Sequence, residues 1–237
     1  MISLKRYKIA QDAERNSHHL KKDINIFERR TASAKKVVLP YYELIDKMIN
    51  INEQSSIADV GSGPTCLARF FKAGRKVYID PLMNFYKEFY KDKLPDDGSL
   101  VNEMAEKTSF PGETFDVVIC YNMLDHVFEP WKVVGEMKRI LKPNGLILVG
   151  IYMHNPIMKF LRMLCEKSWI FKERPHPYSF SIKDLRTHFR ENFIIKVEDM
   201  IRGKESILNF KRRFYIFILS KPPEKAKLSS SGINGCP

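Results

Sequence analysis

The chain is poor in the features that would place it in several common classes. Its four cysteines among 237 residues, Cys66, Cys120, Cys165 and Cys236, are scattered and form no CxxC pair. That spacing argues against a cysteine zinc site or a disulfide framework. It points to a reducing, cytoplasmic setting, and no bound metal is expected. The longest strongly apolar runs, near Leu146–Met153 and Phe214–Leu219, fall far short of the roughly 20 residues of a membrane-spanning helix. Lys5, Arg6 and Lys8 are followed by no continuous apolar stretch, so no secretory leader is expected. There is no internal repeat, and the basic residues are not interleaved with an aromatic nucleic-acid motif.

What is present is an ordinary globular composition, 44% hydrophobic, in a chain long enough to build a core without staples. The net charge of +12 lies wholly at the two ends. Residues 1–36 carry ten Lys/Arg against four Asp/Glu, and residues 202–237 carry eight against two. Either the ends meet an anionic partner, such as a phosphorylated acceptor, nucleic acid or an acidic membrane surface, or they are a solvated surface.

Periodicity organises the rest. Residues 1–30 are polar with a helical pattern, and 34–50 read as a helix with Pro40 at a start or kink. Strands are expected at 56–60, 76–80, 100–102, 115–120 and 146–152. Helices are expected between them, one after residue 66 ending near Gly74, then 82–93 and 130–141. That alternation predicts an α/β fold with a doubly wound, mostly parallel sheet. Further helices are expected at 156–171 and 181–190, with two late strands at 193–200 and 212–220 pairing as an antiparallel hairpin. Residues 1–220 read as one domain, with 1–50 a helical N-terminal segment. Residues 221–237, with two prolines and three consecutive serines, read as a disordered tail.

The most informative segment is 56–66. An apolar run ends in Asp59, and a turn carrying Gly61 and Gly63 follows. Glycine is needed where the backbone turns sharply after a strand and lets a ligand approach. The next apolar run, Val77–Ile79, ends in Asp80, where an acid can hold a ribose diol or cap a helix. A dinucleotide fingerprint wants a third glycine at position 66, where this chain has Cys66.

The chain instead resembles the class I S-adenosylmethionine-dependent methyltransferases, in particular the type 11 group. The resemblance rests on Asp59-x-Gly61-x-Gly63, on Ser109–Asp116, on Asn122-Met-Leu-Asp-His126, and on Arg139-Ile-Leu-Lys-Pro-Asn-Gly145 before an apolar strand. It spans roughly residues 55–150, with Thr65 where the family has its third glycine. It implies a Rossmann-like methyltransferase fold of seven strands with a reversed C-terminal hairpin, S-adenosylmethionine as cofactor and S-adenosylhomocysteine as product. The backbone of Gly61, Ser62 and Gly63 would line the methionine portion, with Asp59 holding its amino end. Asp80 would accept from the ribose hydroxyls, and Pro81 and Leu82 would pack on adenine. The adenine stretch aligns with Glu103-Met104-Ala105, where Met104 replaces the usual Asp; Glu103 or a backbone carbonyl is the substitute. Tyr121 and Asn122 would line the cofactor or acceptor pocket.

Methyl transfer from a sulfonium asks the protein for alignment, exclusion of water and sometimes removal of a proton. Candidate bases are His126 after the fourth strand, His154 past the fifth and His176 in a loop; a structural or solvated role is the alternative for each. The segment 153–190 lies where the family carries an acceptor cap. Its apolar face, including Met158, Met163, Trp169 and Phe171, forms either an acceptor pocket or ordinary core. The expected acceptor is a small molecule, sugar-containing or lipid-linked, anionic or amphipathic, with at most weak membrane-surface association and no specific protein partner. Rival readings are an RNA methyltransferase, disfavoured by the lack of an Asn/Asp-Pro-Pro-aromatic motif, a non-catalytic cofactor-binding subunit, and a nicotinamide dehydrogenase.

Overall fold

The computed structural model describes residues 2–20, 24–153, 160, 176–201 and 213–223. Helix α1 (Leu4–Leu20) comes first, and the Ser3 hydroxyl accepts from the Arg6 amide in its opening turn. Helix α2 (Ile24–Ile49) follows. Pro40, expected at a helix start or kink, lies inside α2. Its ring is exposed, so the carbonyl it leaves without a helical partner is on the solvent side. The opposite face, with Val38, Tyr42 and Ile45, is buried against the sheet.

Seven strands form one sheet: β1 (Ser56–Val60), β2 (Arg75–Ile79), β3 (Gly98–Val101), β4 (Phe115–Tyr121), β5 (Leu141–Met153), β6 (Ile194–Ile201) and β7 (Arg213–Ser220). Their order is β3-β2-β1-β4-β5-β7-β6. The first five are parallel, and β7 runs antiparallel to both β5 and β6. This is the doubly wound sheet with a reversed late hairpin that the strand pattern and the family resemblance imply. Successive side chains point to opposite faces. Ala58, Val118, Ile147 and Val149 thus join a core with helices α4 (Pro130–Ile140) and α5 (Ile182–Asn192). Ile57, Val117, Ile119 and Leu148 join a second core with α2. Burial on both faces explains the uninterrupted apolar runs of β4 and β5.

The order reverses direction beside β1: β2 and β3 extend to one side, β4 and β5 to the other. Chains leaving β1 and β4 diverge to opposite faces and open a crevice at the strands' carboxyl ends.

Several local expectations change. After the glycine turn there is a short 3-10 helix, Leu67–Phe70, in place of a helix reaching Gly74. Cys66 precedes it in the left-handed region, at φ 49°, which no regular helix start accommodates. Helix α3 (Met83–Phe89) ends short of residue 93. Strand β5 starts at Leu141, directly after α4, and a register shift beside β4 takes up Lys142–Gly145. The expected helix at 156–171 and the tail beyond 223 lie outside the described residues, as does most of the proposed cap.

The loop between β3 and β4 is held by Glu136 of α4. Its carboxylate accepts from Thr108 N at 2.7 Å, Thr108 Oγ1 at 2.6 Å and Arg139 Nε at 2.7 Å. Burial would raise its pKa, but the Arg139 and Thr108 hydrogen bonds outweigh it and hold it below the usual range. Glu136→Ala leaves the buried Thr108 amide without its acceptor. It is expected to destabilise the protein by about 1–3 kcal/mol in urea unfolding, and Glu136→Gln, which keeps one acceptor and the shape, by less.

Candidate active site

The crevice holds a cavity of about 560 Å³, walled by the ends of β1, β2 and β4, by α1 and α2, and by His176. Its floor begins at Asp59. This carboxylate is 1% exposed and accepts from Ala68 N at 3.0 Å. Burial pushes it up to about 7; the Ala68 and Leu67 amides pull it down, and the charge of Asp80 adds to the rise.

The turn that follows needs its glycines for different reasons. Gly61 has φ +68°, and a Cβ there would lie 2.1 Å from Met123 Cγ. Gly63 has φ +52° with nothing within 4 Å of its would-be Cβ, so its bare backbone faces the open cavity. The turn is pinned to β2 by Gly61 N and Ser62 N donating to Ile79 O. Asp80 completes the link. Its Oδ2 accepts from Gly63 N at 2.9 Å and its Oδ1 from Leu82 N at 2.8 Å.

Across the cavity, Asn122 occupies φ +53°, with its amide bonded to Gly150 O at 2.6 Å. Its buried Oδ1 accepts no hydrogen bond from the described residues. Next to it stand Asp125, His126 and His176. Asp125 is 4% exposed; its Oδ2 lies 2.9 Å from His176 Nδ1 and its Oδ1 3.7 Å from His126 Nε2. The two imidazoles meet edge to face at 4.2 Å. Burial alone would raise the Asp125 carboxyl, but the contact with His176 and the charge of both imidazoles hold it below the usual range.

Of the residues expected from sequence, Asp59, Gly61, Ser62, Gly63, Asp80, Pro81, Leu82, Ala105, Tyr121, Asn122, His126 and His176 line this one cavity. Glu103 does not: its carboxylate accepts from Ser109 N at 2.9 Å. Met104 also lies off the cavity, with 39% of its surface exposed. Glu106 is the acid of that loop that reaches the wall, held there by the Phe128 and Glu129 amides. His154 lies outside the described residues. Sequence reasoning missed Glu106, Asp125 and the α1 side chains Tyr7, Gln11 and Glu14. Asp125 was legible as the neighbour of His126. Nothing in the sequence brings α1 across the crevice. Tyr7 packs on Phe128 with ring centroids 5.5 Å apart. Its hydroxyl is pushed above its ordinary pKa by burial and then by Glu106 and Asp80.

Residues 58–149 match the family described as "Methyltransferase domain". A ubiquinone biosynthesis O-methyltransferase of Pseudomonas aeruginosa is 27% identical over 136 residues, 57% of this chain and 47% of that protein. The chain spans about half the length of the curated relatives it matches. Among solved structures, the 1,6-didemethyltoxoflavin-N1-methyltransferase of Burkholderia thailandensis, with 1,6-didemethyltoxoflavin and S-adenosylhomocysteine bound, aligns with a TM-score of 0.67. The alignment covers 93% of this chain and 91% of that one at 11% identity. A putative methyltransferase of Bacillus halodurans aligns at 0.59, over 76% and 98%, with 14% identity. Likeness at such identity carries the fold and leaves the reaction to the site.

Asp59 gives the site a pH signature. An acid raised from 3.8 to about 7 on folding is protonated in the folded state and ionised in the unfolded one between those values. Its contribution to stability is therefore present at low pH and is lost as pH rises from about 4 to about 7. Asp59→Asn should remove that fall. In urea unfolding, the stability of the wild type relative to the variant should drop by a few kcal/mol across this window and be flat above it.

Proposed function

We propose that this chain, whose residues 58–149 match a methyltransferase-domain family, is an S-adenosylmethionine-dependent enzyme that transfers the cofactor's methyl group to an oxygen or nitrogen of a small-molecule acceptor. The observation that carries this reading is the charge of the cavity. Among the described residues, the acids Glu14, Asp80 and Glu106 line it against one cation, Arg30, and Asp59 joins them when a positive group beside it favours its ionised form. Such a wall suits a ligand bearing a sulfonium and an ammonium, and repels the pyrophosphate of a dinucleotide.

The remaining features fit the same cofactor. The bare backbone at Gly63 and the unmatched Oδ1 of Asn122 offer close approach and an acceptor for a ligand donor. Asp80 would take the two ribose hydroxyls as charge-assisted hydrogen bonds. Asp59 and the turn Gly61–Gly63 would hold the methionine end, and Pro81, Leu82 and Ala105 would pack on adenine. Glu106 would replace the acid that Met104 lacks. When bound, S-adenosylmethionine supplies a methyl carbon already activated by positive sulfur. The chain's own work is to fix the acceptor in line and keep water out. Tyr7, Gln11 and Glu14 of α1, with His176 opposite, enclose the space where the acceptor would sit. That enclosure favours a small acceptor over an RNA strand. His126 and His176 stand at the acceptor end, where the acceptor's proton must be managed. No helix among the described residues is long and apolar enough to cross a membrane.

Calorimetric titration with S-adenosylhomocysteine tests the cofactor. Asp80→Ala should weaken binding by roughly 10–100-fold, the worth of losing one or two hydrogen bonds to a charged group; unchanged affinity would sink the assignment. Transfer of labelled methyl into a host extract, then split into RNA, protein, lipid and soluble metabolites, tests the acceptor. Label is expected in the soluble or lipid fraction and, at cofactor concentrations near the wild-type affinity, strongly reduced with Asp80→Ala. Label removed by ribonuclease would overturn the small-molecule reading.

A further inference from the structure

The cluster at the end of β4 is built from more than a histidine base would need. Asp125, His126 and His176 each bring one ligand atom into a group whose members all lie within 4.8 Å of one another. We propose that these three side chains bind a divalent first-row transition cation of the zinc type, leaving cavity-facing coordination positions for a hydroxyl of the acceptor.

The donor set decides the kind of ion. Two imidazoles and a carboxylate suit zinc, iron or cobalt, whereas magnesium and calcium prefer oxygen ligands throughout. The distances are close to those required. Ligand bonds of about 2.0–2.1 Å put neighbouring ligand atoms about 3 Å apart. His176 Nδ1 lies 2.9 Å from Asp125 Oδ2 and His126 Nε2 lies 3.7 Å from Asp125 Oδ1, the other oxygen of the same carboxylate; gathering the three ligand atoms about one ion from within 4.8 Å asks for side-chain rotation at the site. The carboxylate is deeply buried while both histidines line the cavity. A cation held between them would therefore face the acceptor.

Two further contacts support the cluster. Glu14 Oε2 stands 3.9 Å from His126 Nδ1, on the side of the ring away from Asp125. At that distance the carboxylate is beyond hydrogen-bond reach of the ring but adds negative charge on its outer side; closing to a hydrogen bond would fix the ring and raise its basicity. The loop carrying His176 is tied to the loop carrying Asp125 by links that do not involve the histidines. Tyr178 N donates to Asp125 O at 3.4 Å, and Tyr178 Oη donates to Phe128 O at 2.7 Å. The ligand sites are thus brought together by the backbone amide and side-chain hydroxyl of Tyr178, whether or not a cation is bound.

The role in methyl transfer rests on the reading above; the binding of the cation does not. A ligated hydroxyl loses its proton to water more readily, as water itself does on zinc. The resulting oxygen forms a bond to the methyl carbon while the carbon–sulfur bond breaks, and the bonding pair stays on the now neutral sulfur. This selects a hydroxyl acceptor over an amine.

The test uses the full chain stripped with a chelator and titrated with Co2+, followed by visible ligand-field absorption and by metal content after dialysis, with Zn2+ as competitor. One Co2+ per chain is expected, displaced by Zn2+. Asp125→Asn and His176→Gln should each weaken binding at least tenfold, and Glu14→Gln by about tenfold, since outer-shell partners are worth roughly 10–100-fold. His188→Ala, remote from the cavity, should bind as the wild type does. Far-ultraviolet circular dichroism and S-adenosylhomocysteine binding report whether each variant is folded. Absence of Co2+ absorption in a chain that binds S-adenosylhomocysteine, or Co2+ binding indifferent to both ligand substitutions, would overturn the proposal and leave the cluster a hydrogen-bonded acid–histidine group. Co2+ binding by a chain that ignores S-adenosylhomocysteine would support the metal site and tell against the cofactor assignment alone.

Discussion

Two turns meet at the end of the sheet, and their closeness sets the rest of the site. The turn after β1 passes so near the loop after β4 that a single added carbon on Gly61 would overlap Met123. Parallel neighbours whose chains leave in opposite directions must come this close before they part. The contact makes the glycine turn and the Asn122–His126 segment the two halves of one floor. Asp80 then locks the first half by bonding Gly63 N and Leu82 N together.

This constraint separates what the sequence revealed from what it hid. Strand β1, the glycine turn and Asp80 were legible because their signals are local: an apolar run, two residues suited to positive φ, and an acid at the next strand's end. The sheet's inner strands were legible because burial on both faces leaves continuous apolar runs. The short 3-10 helix in place of a longer one was not, since it depends on Cys66 taking a left-handed conformation that no propensity favours. The early start of β5 was hidden by Lys142–Gly145, which reads as a helix stop and is taken up in a register shift.

The missed site residues share a different cause. Tyr7, Gln11 and Glu14 reach the cavity only because α1 crosses the crevice, a contact between the chain's beginning and its middle. His176 meets Asp125 across about fifty residues of chain, tethered by Tyr178. Hydrophobic periodicity tells which face of a helix is buried, but not which surface buries it. Glu103 and Glu106 show the same limit on a smaller scale. Both are acids in one loop, and only side-chain contacts with Ser109 or with Phe128 and Glu129 decide which faces inward.

Charge is divided in a way that composition conceals. The whole chain carries +12, yet its cavity is lined by four carboxyl groups and one guanidinium among the described residues, with Asp125 behind the histidines. Basic chain ends together with an acidic crevice sort ligands by where they bind. An anion drawn to the basic ends meets an opposing field at the cavity, so anionic charge on an acceptor belongs outside it, on a portion left in solvent. On the proposed reading a cation would be favoured inside at both ends: a sulfonium with its ammonium beside Asp59 and Asp80, and a metal ion beside Asp125. Burial supports this sorting, because carboxylates removed from water interact more strongly with a cation than exposed ones do. Asp59 shows the cost of that arrangement when no cation is near, its carboxyl pushed up to about 7 by burial. A positive group arriving beside it would return the acid to its ionised form, so binding in the neutral range would be accompanied by release of a proton.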